Sequence, residues 1–143
     1  MSASEVMAGF QWLYSVLMAD SMLAGYAPGG LWRSMAPPGT ATPYMMMAFQ
    51  GGTDSTTLNG YRELVDALYQ VKAVGPASIS AQIANAAARL DALIGSPPTK
   101  GSVPGAYISA SYRDSPLQMD ELVAGELWTN IGGLYRLEIQ STG

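Results

Sequence analysis

The amino-acid sequence predicts an α+β fold, with a mixed, mainly antiparallel sheet and two principal helices packed on one side. Two segments carry apolar residues at helical spacing, and each is followed by shorter segments that have the pattern of strands. Clusters of Gly and Pro separate these segments, with no internal repeat or linker. The order helix, strands, helix, strands is typical of an α+β domain. All 143 residues are predicted to form one domain, since domains commonly have about 100–150 residues.

The first helix is predicted at about residues 2–19. Its apolar residues recur three or four positions apart, as on one face of a helix: Val6, Phe10, Leu13 and Leu17. Ser2 and Glu5 match an S-x-x-E capping box. Asp20 can cap a further short helical turn, which the cluster Pro28-Gly29-Gly30 ends.

The other helix is predicted to begin near Ser78, as its N-cap, and to end at Gly95, as an αL terminator. Its core face is expected to carry Ile79, Ile83, Ala87, Leu90 and Ile94. Gln82 and Arg89 lie on the opposite face, where we expect substitutions to be accepted.

Extended segments are predicted at 31–35, 44–50, 61–74, 106–113 and 127–139, with loops or turns at 36–43, 51–60, 96–105 and 114–116. The acidic stretch Asp120-Glu121, which leads into the last strand, is predicted to be a further loop. Segment 44–50 is a continuous apolar run and is predicted to be a central strand buried on both faces. Segment 61–74 fits both a strand and a helix. The strand is preferred, because Asn59-Gly60 before it has the form of a hairpin turn.

Composition removes most enzymatic chemistry. The chain has no Cys and no His, so it lacks thiolate nucleophiles, disulfides and zinc fingers, and also the commonest general base. The glycine-rich segments do not have P-loop spacing. A serine nucleophile would need Lys72 or Lys100 as its base, and neither stands in an S-x-x-K arrangement. Composition and motifs therefore exclude most enzymes, and any enzyme here would have to use carboxylates, hydroxyls, Lys, Arg or Tyr. No cofactor and no metal site are predicted.

Two further groups have both a functional and a structural interpretation. The carboxylate pairs Asp120 with Glu121 and Glu126 with Glu138 are candidates for acid–base catalysis. Neighbouring strand residues point to opposite faces, however, so exposed edge charge is the preferred interpretation. For the same reason, the consecutive methionines at 45–47 are interpreted as an adaptable core strand and not as a metal site.

The charge balance argues against binding to nucleic acid. The formal net charge is -4, and the seven basic residues are scattered along the chain, whereas nucleic-acid binding needs clustered Lys and Arg. The N-terminal segment has no basic n-region, and polar residues interrupt the apolar run after it. Neither a signal peptide nor a membrane span is predicted, and a cytoplasmic protein is expected.

Several segments carry a resemblance to a known family. They are the end of the first helix at 18–25, Gly-Leu-Trp-Arg at 30–33, Ala-Pro-Pro-Gly-Thr-Ala-Thr-Pro-Tyr at 36–44, the segment 59–66, the second helix, and the closing strand at 133–139 with Leu-Tyr-Arg. In this order they resemble the tail terminator (tail completion) proteins of long-tailed bacteriophages. The resemblance covers nearly the whole chain and is one of pattern. The 51–60 segment departs from it, because it is longer than the corresponding segment expected in the family.

The resemblance implies a structural virion protein that has no catalytic residues and is not an enzyme. It implies a homo-oligomer, a hexameric ring, that caps the tail tube protein, stops its polymerisation and presents a docking surface to the neck or head completion protein. DNA would pass through the lumen without specific binding, and there would be no membrane partner. The protein would be assembled in the host bacterial cytoplasm and located in the virion tail or neck. As residues that contact the partners we select four in the predicted loops: Ser55, Asn59, Lys100 and Glu121.

Two other classes remain open at this point. One is another neck component, a head–tail connector or stopper, which would copurify with heads and not with tail tubes. The other is a small binding or hydrolytic domain that uses carboxylates. A monomer with a deep polar pocket would favour that second class.

Overall fold

Three helices and a six-stranded sheet form the computed structural model, which describes residues 4–56, 62–95 and 99–141. The helices are α1 (Glu5–Met18), α2 (Ser21–Tyr26) and α3 (Ser80–Ile94), and a 3-10 turn (Ala77–Ile79) leads into α3. The strands are β1 (Leu31–Arg33), β2 (Tyr44–Thr56), β3 (Arg62–Pro76), β4 (Thr99–Val103), β5 (Ala106–Val123) and β6 (Glu126–Ser141). The predicted fold class is confirmed.

The strand order in the sheet is β1-β2-β3-β6-β5-β4. Only β1 and β2 pair in parallel, with Leu31 beside Met45, and all other neighbours are antiparallel. The central pair joins β3 to β6, with Val65 opposite Ile139. β1 and β4 are the edge strands, and both are short.

The core lies between the helices and one face of the sheet. Alternate residues of the central strands are buried there: Val65, Ala67, Tyr69, Val71 and Ala73 on β3, and Tyr135, Leu137 and Ile139 on β6. The predicted apolar face of α3 is confirmed, because Ile83, Ala87, Leu90 and Ile94 are buried and Ile79 is partly buried. The core face of each element is therefore the one that the apolar spacing indicates.

Helix α1 packs directly on a buried tyrosine. The Tyr69 hydroxyl donates a hydrogen bond of 2.7 Å to the Val6 carbonyl oxygen, and burial raises the pKa of the Tyr69 phenol. The aromatic rings of Phe10 and Phe49 hold the Tyr69 ring edge-on, with centroids 5.1 and 5.5 Å away. A Cβ atom at Gly9 would overlap the Tyr69 hydroxyl oxygen. Glycine at this position therefore allows α1 to lie close to the sheet.

Helix α2 is connected to α3 by polar contacts. The Asp20 carboxylate caps α2 by accepting a 2.8 Å hydrogen bond from the Leu23 N–H, as predicted, and also accepts bonds of 2.9 and 2.7 Å from Arg89. The Arg89 hydrogen bonds lower the pKa of the Asp20 carboxyl below its ordinary value. Gln82 donates to the Tyr26 carbonyl oxygen. The α3 face that we expected to accept substitutions therefore binds α2.

The predicted cap of α1 is wrong. The helix begins at Glu5, and Ser4 is its N-cap, with the hydroxyl oxygen accepting from the Met7 N–H. Ser4 takes this role because its side chain is three residues before a free N–H of the first turn. Ser2 lies outside the described residues.

Both predicted caps of α3 are also wrong. Ser78 lies within the 3-10 turn, and Ile79 occupies the N-cap position. Gly95 has a φ of -126°, so it is not in the left-handed region. Glycine is instead required for space, because a Cβ atom at this position would lie 2.6 Å from the Tyr135 ring.

Strand β2 is longer and less buried than predicted. It continues to Thr56, through most of the predicted 51–60 loop, and a register shift between Phe49 and Gly51 marks a bulge at which Gly51 has a φ of +136°. Met45 and Met47 are buried, whereas Met46, which strand alternation places on the other face of the sheet, is half-buried. Burial on both faces is therefore wrong. The predicted Asn59-Gly60 turn lies outside the described residues.

Strand β5 passes through the predicted 114–116 turn. A register shift between Arg113 and Ser115 allows the strand to continue through this segment, and pairing with β6 then extends to Val123. The last residue of β5 that pairs with β4 is Ser111, so Pro116 lies on a sheet edge, where proline is tolerated. Part of the predicted 96–105 loop is strand β4.

Candidate functional site

The β5–β6 hairpin projects beyond the rest of the sheet. Its turn, Ala124-Gly125, has positive φ at both residues, 51° and 80°, as a two-residue hairpin turn requires. Strand β3 ends at Pro76, opposite Trp128. Within the described sheet, residues 126 and 127 of β6 therefore pair with β5 alone.

The end of this hairpin is apolar and exposed. Leu122 and Leu127 are cross-strand partners, with 74% and 47% of their surfaces exposed, and Met119 and Val123 are exposed as well. Strand alternation places the two leucines on the helix-facing side and Met119 and Val123 on the other. We call these four residues the hairpin end.

Hydrogen bonds within β5 and between β5 and β6 hold the polar residues next to the hairpin end. Asp120 Oδ1 accepts bonds of 3.0 Å from the Thr129 hydroxyl and the Gln118 amide, and Glu121 accepts a 3.2 Å bond from the Asn130 amide. Asp120 and Glu121 point to opposite faces of β5, as the strand spacing indicates. They therefore cannot act together on one substrate.

A second exposed apolar surface is a groove of about 540 Å³ between α1 and β1. Its lining residues are Phe10, Gln11, Tyr14, Met18, Gly30, Leu31, Trp32, Arg33 and Met47. Tyr14 is 51% exposed, and the Trp32 indole is fixed by a 2.8 Å hydrogen bond to the Gly29 carbonyl oxygen. We call this surface the α1–β1 groove.

Arg33 gives this apolar groove a positive charge. Its guanidinium lies 5.5 Å from the Phe10 ring centroid, and Nη1 lies 3.2 Å from the Met7 sulfur. Within the described part of the chain, every ion pair of an arginine with a carboxylate belongs to Arg89, Arg113 or Arg136. Arg33 therefore has no carboxylate partner among residues 4–56, 62–95 and 99–141.

A cavity of about 530 Å³ lies between α3 and the β5–β6 hairpin. The Tyr135 hydroxyl donates a 2.9 Å bond to Asp91 Oδ1, and Arg113 Nε lies 3.7 Å from the same oxygen. Burial raises the pKa of the Tyr135 phenol, and the Asp91 charge adds to this effect. Of the described residues that line the cavity, only Asp91 is acidic, whereas carboxylate-based hydrolysis of glycosides uses two carboxyl groups.

The other predicted carboxylate pair is far apart. Glu126 and Glu138 lie near opposite ends of β6, about 40 Å from one another at the rise of a strand. No group of three or more acidic side chains suited to holding a metal ion occurs among residues 4–56, 62–95 and 99–141. In the same ranges, none of the helices has the length and apolar character that spanning a membrane requires.

The structure does not bring the four selected contact residues together. Ser55 is exposed on β2, opposite Leu64 near the start of β3. Glu121 is on β5, opposite Trp128, at the other end of the sheet. Lys100 lies on β4 at the far edge, and Asn59 lies outside the described residues. Ser55, Lys100 and Glu121 are thus in strands, contrary to the predicted loops, and their role in binding stays a prediction.

Sequence reasoning missed both apolar surfaces. The hairpin end had a usable signal, because Ala124-Gly125 stands between Leu122-Val123 and Glu126-Leu127, as in a two-residue hairpin. The α1–β1 groove had none, since Tyr14 and Arg33 are brought together only by the packing of α1 against the sheet edge.

Comparisons with known proteins give a match at the level of the fold. No family model and no curated protein matches the sequence. Among solved structures, a chain of the virion of a native gene transfer agent (GTA) particle is similar, with a TM-score of 0.69 and 15% sequence identity. The match covers 98% of this chain and 100% of that chain. The two chains therefore share one fold over nearly their full lengths.

Proposed function

We propose that this chain is a structural virion protein, and that it is a tail terminator. In this role, residues 1–143 act as one domain that assembles into a hexameric ring, caps the tail tube, stops its polymerisation and presents a docking surface to the head or neck. The observation that carries the proposal is the full-length fold similarity to a chain of a virion. The narrower assignment as a tail terminator is supported by the sequence pattern described above, which extends from the first helix to the closing Leu-Tyr-Arg strand.

The exposed apolar surfaces support an assembling protein. Monomeric proteins rarely expose large contiguous apolar patches, and such patches commonly mark interaction sites. Here the hairpin end and the α1–β1 groove are both exposed and lie on different elements. Two different patches on one chain suit a head-to-tail contact, which closes a ring when the rotation between copies is right.

A ring with two faces also accounts for two sets of partners. Ser55 and Glu121 lie at opposite ends of the sheet, so they can contact different neighbours, one the tube protein and the other the neck or head completion protein. We keep Asn59 and Lys100 as further contact residues. The net charge of -4 suits a lumen through which DNA passes without specific binding. The proposal places the protein in the virion after assembly in the host cytoplasm, with no enzymatic step and no cofactor.

Another neck component, a connector or stopper, is the second candidate. The fold similarity to a virion chain supports it equally, because the match does not distinguish positions within a particle. The hydrolytic alternative is not proposed, because its two carboxylate pairs do not converge.

The test removes the protein during particle assembly and examines the products by negative-stain electron microscopy. Tails of uncontrolled length that are not joined to filled heads are expected, and the wild-type gene supplied in trans should restore joined particles. Tails of normal length attached to heads would contradict the proposal. Normal free tails beside heads that have lost their DNA would identify the connector role.

A further inference from the structure

We infer that the hairpin end of one copy binds in the α1–β1 groove of the next copy, and that this contact closes the ring. The inference rests on the proposed ring, and it names the two surfaces that form each subunit contact. The occupant of the groove is thus a second copy of this chain.

The chemistry of the two surfaces is complementary. Leu122 and Leu127 lie side by side on one face of the hairpin end, and the groove offers the aromatic side chains of Tyr14 and Trp32. These are apolar surfaces that water otherwise covers in both places. Binding of one to the other removes both from water at the same time.

Charge complementarity favours a head-to-tail contact, in which a hairpin end binds a groove. Asp120 lies on the same face of β5 as Leu122, is exposed, and uses only Oδ1 in its described hydrogen bonds. Arg33 lines the groove and has no carboxylate partner among the described residues. When the two leucines enter the groove, Asp120 arrives on the same side and can pair with Arg33. Like charges would meet if two hairpin ends, each with Asp120 beside it, or two grooves, each with Arg33, bound one another, so both alternatives are disfavoured.

The contact forms between copies because one chain does not satisfy it internally. Strands β2 and β3 separate β1 from the β5–β6 hairpin, so β1 and β6 are about 14 Å apart at the usual spacing of strands. Both surfaces are exposed in the same chain. Each copy therefore has one hairpin end to give and one groove to fill. An open chain of copies leaves one groove empty at its end, whereas a closed ring fills every groove.

The experiment uses the full chain and one substitution on each surface. Leu122→Glu alters the hairpin end, and Tyr14→Glu alters the groove. Met22→Glu is the matched control, because Met22 is 52% exposed on α2 and lines neither surface. All three positions are exposed, so each variant should retain the thermal unfolding temperature of the wild type within a few degrees. Native mass spectrometry should show rings for the wild type and Met22→Glu, and monomers for the other two.

Mixing the two defective variants tests the head-to-tail geometry. Leu122→Glu keeps an intact groove and Tyr14→Glu keeps an intact hairpin end, so an equimolar mixture should form heterodimers that grow no further. The charge pair gives an independent measurement. Arg33→Asp should weaken ring assembly at least tenfold, and adding Asp120→Arg should restore most of that loss.

The outcomes separate the inference from the proposed function. Rings formed by both Leu122→Glu and Tyr14→Glu would overturn the inference and leave the ring intact as a proposal. If those rings then failed to bind tail tubes, the apolar surfaces would belong to the tube contact. A mixture that stays monomeric would also overturn the inference. A wild-type chain that is monomeric at all concentrations would overturn the ring itself.

Discussion

Gly9→Ala tests how closely α1 lies on the sheet, and so how the wall of the α1–β1 groove is placed. Alanine at an interior helix position normally stabilises by about 0.8–1.0 kcal/mol relative to glycine. At Gly9 the new Cβ atom would overlap the Tyr69 hydroxyl oxygen. The Tyr69 ring cannot move aside freely, because Phe10 and Phe49 pack against it. The overlap with Tyr69 therefore opposes the gain in helix propensity.

The expected net effect is destabilisation. Overpacking in a filled core costs about 1–3 kcal/mol, and displacement of the hydroxyl loses its hydrogen bond to the Val6 carbonyl, worth about 1 kcal/mol. Subtracting the gain in helix propensity leaves a loss of about 1–3 kcal/mol. For a chain of this size, that corresponds to a fall in Tm of roughly 3–12 °C.

The assay is thermal unfolding followed by circular dichroism, with Gly25→Ala as the matched control. Gly25 is also inside a helix, α2, but a Cβ atom there has no neighbour within 4 Å. Gly25→Ala should therefore raise Tm by a few degrees. In a Tyr69→Phe background, which lacks the hydroxyl, Gly9→Ala should cost less than in the wild type. An increase in Tm for Gly9→Ala similar to that for Gly25→Ala would refute the close packing of α1.

Two further predictions concern the helices. Asp20→Asn should keep the cap of α2 but lose the ion pair with Arg89. Because the pKa of Asp20 is lowered in the folded state, the ion pair stabilises the fold above the ordinary aspartate pKa of about 3.9. This stabilisation is lost as the pH falls through the pKa of Asp20 in the folded state. The Tm difference between wild type and variant should accordingly shrink below about pH 4, and a difference that is constant from pH 7 to pH 2 would contradict the role of the charge. Leu90→Asp should abolish soluble folded protein, because Leu90 is fully buried and a carboxylate there has no partner, whereas Asn85→Asp on the exposed side of α3 should be accepted. Equal yields of soluble protein for the two variants would show that this face of α3 is not in the core.

The fold class and the core faces could be predicted because apolar spacing records which side of an element is buried. On α3, the positions of Ile83 and Leu90 identify the buried face without any knowledge of its neighbours. Strand ends were harder, since Asp, Ser and Pro at 114–116 have the composition of a turn. A bulge after Arg113 lets the strand continue, and bulges depend on pairing with a partner strand.

The candidate site could not be predicted from the same signals. An apolar residue such as Leu122 has the same pattern whether a helix covers it or water does. Its exposure follows from the continuation of β5 and β6 beyond the end of β3, which the pattern does not record. The four contact residues were selected because they stood in predicted loops. Strands β2, β4 and β5 extend into those segments, so the choice of Ser55, Lys100 and Glu121 rested on elements with different bounds.

The order of strands in the sheet also determines how the chain can fold during synthesis. The β2–β3 and β5–β6 pairs join strands adjacent in sequence, so each hairpin can form as soon as its own residues are available. The central β3–β6 pair joins Val65 to Ile139, with α3 and two strands between them, so its closure carries the larger entropy cost. Until the ribosome has released β6, one edge of β3 has no partner and Tyr135, Leu137 and Ile139 are absent from the core. The β2–β3 hairpin and α1 therefore keep their apolar faces uncovered until β6 is available. During this interval the nascent chain is most prone to aggregation.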